Sequence, residues 1–139
     1  MSDPFAFLLA EWPLVHDAAS RAAAAVYPDP RTACFYARRA LELAVSWAYK
    51  HDAQLKLPYQ DNLSALIHEP SFKRVATQTV FHKAVLINKL GNSAVHERRS
   101  IESNDSLMAV RELFHVSYWL APNYARGERP RPGLLLDVG

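Results

Sequence analysis

Cysteine is nearly absent from this 139-residue chain, with Cys34 the single example. One thiol cannot close an internal disulfide or supply a Cys-rich zinc module, and such usage fits a reducing compartment, here read as the cytoplasm. Glycine is scarce too: four glycines against nine prolines argue against a β-sandwich, whose tight turns need glycine. No apolar run approaches the ~18 residues of a membrane span, and Phe5–Ala10 is too short and acid-flanked for a signal peptide. The net charge of +2 is too small to imply tight binding to nucleic acid or a membrane surface. Phosphate loops, dinucleotide fingerprints, GxSxG elbows and HExxH helices are all missing, so no cofactor is expected. The six histidines include no i,i+4 pair and lack soft co-ligands, so no metal site is expected either.

What is present is a mostly helical pattern in one domain-sized chain. The run from Leu14 to Tyr27 is dominated by alanine, the strongest helix former. Asp29-Pro30 combines an N-cap acceptor with proline at the first helical position and predicts a helix to about His51. Along it Ala33, Ala37, Ala40, Leu41, Ala44, Trp47 and Ala48 fall on one face. That face predicts close approach of another helix, a buried Trp47, and a cost of ~3–5 kcal/mol for Trp47→Ala. Cys34, one step off the stripe, reads as a half-buried structural thiol. Asn62 is placed to cap a short helix over Leu63–His68. Pro70 restarts the chain, and Thr77 or Thr79 leads a long helix to about His96. Ser100–Asp105 reads as a loop, followed by a helix to Ala121 that Pro122 stops. Its stripe is expected at Leu107, Val110, Phe114, Ser117, Tyr118 and Ala121. No strand-like alternation or internal repeat stands out. The fold class is therefore all-α, a four- to five-helix bundle over residues 1–122. Residues 123–139 form an extended Pro/Arg-rich tail with an apolar Leu134-Leu135-Leu136 run; the native chain is expected to continue past Gly139 into further domains.

One segment stands apart, Leu86 through Glu97. Asn88, Asn92 and His96 are spaced by four and share a helix face, with Gly91 inside the helix at a cost of ~1 kcal/mol. A helix-interior glycine points to close backbone approach. Two readings stay open. In one, the ladder is structural and each member satisfies buried groups, so His96→Ala loses ~1–3 kcal/mol. In the other, it lines a polar site at a bundle core or dimer interface, with His96 moving protons. The charge is also uneven: residues 1–70 carry 6 Lys/Arg against 8 Asp/Glu, and residues 71–139 carry 10 against 6. Lys73, Arg74, Lys83 and Lys89, with the tail arginines, are the expected weak, salt-sensitive contacts to nucleic acid.

The stretch Leu-Gly-Asn-Ser-Ala-Val-His-Glu, following the helix Ala37–Ala44 (Ala-Arg-Arg-Ala-Leu-Glu-Leu-Ala), resembles a small helical domain of unknown function. That domain sits at the N-terminus of R-subunit-like proteins of type I restriction systems, ahead of a DEAD/DEAH-box helicase. The chain is also similar, over about residues 5–125, to the wider HEPN superfamily of helical bundles. The resemblance implies a non-catalytic accessory domain of a restriction helicase–endonuclease, contacting partner subunits or nucleic acid, with a homodimer as a further option. Active HEPN proteins are metal-independent ribonucleases using an arginine, a polar residue and a histidine. Their dimeric ribonuclease chemistry is the alternative function, with Asn92 and His96 as its catalytic candidates. The arginine position falls on Gly91 in one register and Asn88 in the other, and neither supplies the cation. A third class, a small-ligand or nucleotide-binding bundle, also fits a polar ladder lining a pocket. Asn88, Asn92 and His96 are the binding residues common to these readings.

Overall fold

The computed structural model describes residues 3–127. Five helices follow a short 3-10 turn at Ala6–Leu8: α1 (Pro13–Ala25), α2 (Pro30–His51), α3 (Leu63–His68), α4 (Pro70–His96) and α5 (Ser103–Tyr124). Among the described residues there is no strand, so the all-α bundle stands. The expectations drawn for the tail from residue 128 onward lie outside the described residues.

The helix starts follow from local chemistry. Asp29 caps α2, its carboxylate accepting from the Thr32 backbone N–H at 3.3 Å and the Thr32 hydroxyl at 2.5 Å, with Pro30 at the first helical position. Asn62 accepts from Ala65 N–H at 2.9 Å to open α3. Glu69 opens α4 by accepting from the Ser71 backbone N–H at 2.6 Å and from its hydroxyl. These caps satisfy donors that the first turn of a helix leaves without partners.

α4 contains the expected pair of segments, joined end to end. Helical hydrogen bonding runs from Pro70 to His96, interrupted at Thr77, whose φ of 77° and ψ of 160° are non-helical. The break falls at the threonine expected to lead the longer helix, so the segments beginning at Pro70 and at Thr77 meet there in a kink. α5 differs, because Pro122 lies inside it and the helix continues to Tyr124. Tertiary anchoring explains the extra turn: the Tyr124 hydroxyl donates to Asp52 at 2.5 Å, and its ring meets Trp47 and Trp119 edge-on. The α5 stripe is rotated from the expected one. Ser106, Ala109, Leu113, Phe114, Val116, Ser117, Leu120 and Ala121 are buried, whereas Leu107, Val110 and Tyr118 are half-buried flanks.

α2 is the central element, packed against α1, α4 and α5. Its alanines at 33, 37, 40, 44 and 48 are all buried, and small side chains let neighbouring backbones come close. Trp47 corrects the stripe: it is only half-buried, wedged edge-on to Trp12 and stacked on His51. Trp12, not Trp47, is the buried indole. Trp47→Ala therefore costs less than the ~3–5 kcal/mol of a fully buried aromatic. Phe5 and Leu8 from the N-terminal turn are fully buried, and Phe5 and Phe7 both meet Phe114 edge-on. Cys34 is buried completely, further than expected, and burial pushes its thiol up to about 11.

Candidate functional site

α2 and α4 run antiparallel, so the first turns of α2 meet the last turns of α4. Arg31 marks this end. Its guanidinium donates to the carbonyls of Ala94 at 2.5 Å, Glu97 at 3.2 Å and Arg99 at 2.5 Å. Terminal carbonyls of a helix lack intrahelical partners and carry partial negative charge, so a planar cation with several donors suits them.

Two turns along α2, Arg38 crosses Gly91. A Cβ placed on Gly91 would lie 2.4 Å from Arg38 Cβ and 2.6 Å from its Cδ. Only glycine lets the helices meet here, which is the close approach that an interior glycine signals. Arg38 Nε then donates to Asn88 Oδ1 at 3.2 Å, and Asn92 Nδ2 reaches the same oxygen at 3.5 Å. Asn88 is buried at 8% exposure, Asn92 is half-buried and His96 is exposed. The ladder thus grades from core to solvent along one face.

His96 overturns part of the structural reading. It lies at the last residue of α4 and no further turn covers it, so it satisfies no buried group. Asn88 alone among the three has the burial and the partner that such a role needs. Arg38 is the residue that sequence reasoning missed. Its own signal was present, an arginine bordering the alanine stripe, but the sequence does not say which helix crosses it. Arg98 is exposed, while Arg99 reaches Glu97 at 3.1 Å and Asp105 at 3.8 Å, away from the ladder.

The basic residues of α4 serve different neighbours. Lys83 is half-buried and pairs with Glu112 of α5 at 2.5 Å, which withdraws it from a basic surface. Lys73 sits 4.9 Å above the Phe81 ring. Arg74 lines a small cleft with Gln54, Ser71 and Val75, and Lys89 is exposed. Lys73, Arg74 and Lys89 remain available for anionic contacts. Among the described residues, no group of three His, Cys, Asp or Glu side chains could hold a metal ion. No helix among them is long and apolar enough to cross a membrane.

No curated protein and no solved structure matches the chain. A family described as a domain of unknown function, DUF4145, matches residues 20–124, a span covering the end of α1 and all of α2 to α5. The matched region contains both faces of the Arg38–Gly91 crossing and the whole ladder, and the chain therefore belongs to the DUF4145 family.

Proposed function

We propose that this domain is a non-catalytic interaction module of a type I restriction R-subunit-like helicase–endonuclease, contacting partner subunits or nucleic acid. One observation carries the non-catalytic part. Arg38 is wedged over Gly91 with its Nε donating to Asn88, so these two side chains form a joint between α2 and α4. A catalytic group needs neighbours that hold it in a productive geometry, and His96 is exposed with no hydrogen-bond partner among the described residues. The restriction-system context rests on the resemblance of Leu90–Glu97 and Ala37–Ala44 to that class of N-terminal domain.

A second reading, a dimeric HEPN-like ribonuclease, is favoured by one feature. α2 delivers the Arg38 cation beside Asn88, on the seam that continues to Asn92 and His96. The arginine missing at Gly91 and Asn88 of α4 is thereby provided by another helix. Metal-free incubation of the protein with labelled single-stranded RNA separates the readings. The module reading expects intact RNA from wild type and from His96→Ala. Cleavage by wild type that disappears in His96→Ala, with an unchanged urea midpoint, replaces it with the ribonuclease. Fluorescence anisotropy with labelled DNA measures the nucleic-acid contact. Binding is expected to be weak and to fade between ~50 and ~200 mM salt, since few phosphates can be neutralised.

A further inference from the structure

Away from the ladder, the start of α1 and the second half of α2 enclose a cleft of about 330 Å³. Its walls include Trp12, Leu43, Ser46, Trp47, Lys50 and His51. Apolar surface dominates the floor, where Trp12 meets Trp47 edge-on with ring centroids 5.3 Å apart. Ser46, Lys50 and His51 gather on one side, within two turns of α2, and Glu11 lies on the other. Lys50 makes no ion pair among the described residues. His51 Nδ1 lies 2.8 Å from the Trp47 carbonyl oxygen, and its ring stacks on Trp47 with centroids 4.1 Å apart. Across the cleft, the Glu11 carboxylate is occupied by the backbone N–H groups of Arg126 and Gly127 at 2.8 and 3.3 Å. It keeps its charge but forms no ion pair with Lys50.

We propose that this cleft binds a small carboxylate with an aromatic or aliphatic body. The apolar body covers Trp12, Leu43 and Trp47, and the carboxylate sits at the Lys50 and Ser46 side. A pocket with an apolar floor and a few convergent polar groups is the usual form of a small-ligand site, and this volume lies at the lower end of that class. The unpaired cation selects the charge, because a carboxylate makes a charge-assisted hydrogen bond that a neutral hydroxyl cannot equal. The inference does not depend on the ladder or on the interaction-module reading.

Titration with 3-phenylpropionate, followed by tryptophan fluorescence and by backbone amide shifts, tests it on the intact chain. Saturable quenching is expected, with shifts concentrated at Leu43, Ser46, Trp47 and His51. The neutral analogue 3-phenylpropan-1-ol should bind about tenfold more weakly, as should the acid to Lys50→Gln. Lys50 is exposed, so that variant folds normally, and its circular dichroism spectrum verifies this. No saturation at millimolar ligand, shifts centred elsewhere, or equal affinity for acid and alcohol each overturns the proposal.

Discussion

At the scale of single residues, the seam between α2 and α4 rests on one missing side chain. Alanine at position 91 gains ~1 kcal/mol of helix propensity over glycine. Against this, its Cβ would fall 2.4 Å from Arg38 Cβ. That atom is next to the backbone and cannot swing aside, so the helices must separate. Overpacking of this kind costs ~1–3 kcal/mol, and Gly91→Ala is expected to lower the urea midpoint despite the better propensity. A midpoint raised by the substitution would mean that the crossing is looser than described. The ladder gives a paired test. Asn88→Ala strands the Arg38 Nε donor and should lose ~1–3 kcal/mol. His96→Ala, at an exposed site, should change stability by less than ~0.5 kcal/mol. The four-residue spacing is legible in the sequence; which of its members is covered is not, because burial depends on where α4 ends against its neighbours.

At the scale of elements, α4 holds the one non-glycine residue with positive φ among the described residues. Thr77 has a positive φ, a conformation that a β-branched side chain resists and that costs on the order of 1–3 kcal/mol. Glycine adopts it without steric conflict but loses more chain entropy on folding. The balance favours relief, and Thr77→Gly should raise stability by ~1 kcal/mol in a thermal melt. A fall in the melting temperature would show that the threonine side chain contributes more than its backbone strain removes. α5 carries the opposite lesson. Its proline was a sound stop signal, since the residue before proline avoids the α region. The contacts of Tyr124 with Asp52, Trp47 and Trp119 nevertheless hold one more turn. Its stripe also turned out rotated, because Phe114 is placed by Phe5 and Phe7 of the N-terminal turn, contacts that spacing within α5 cannot reveal.

For the whole molecule, acid sensitivity follows from the caps. The Thr32 hydroxyl and backbone N–H hold the Asp29 carboxyl below its ordinary range. Ser71 does the same for Glu69. A carboxylate whose folded pKa is depressed adds stability above its unfolded value and loses it as pH falls through the folded one. The urea midpoint should therefore decline as pH drops from 7 through the carboxylate range. Asn also caps well, so Asp29→Asn should match wild type at pH 7 and show a shallower decline in acid. An identical acid profile would remove Asp29 from the account. Read by itself, the sequence determined the helical class, the starts of α2 and α3, the alanine face of α2 and the ladder spacing. All of these depend on local hydrogen bonding and on the 3.6-residue repeat, which act over a few neighbouring positions. The tertiary structure alone decided that Arg38 is the partner of Gly91 and Asn88, that Trp12 rather than Trp47 is buried, and that His96 faces solvent. Those outcomes depend on which helices cross and at what residue, a matter of packing between segments dozens of residues apart that no local pattern encodes.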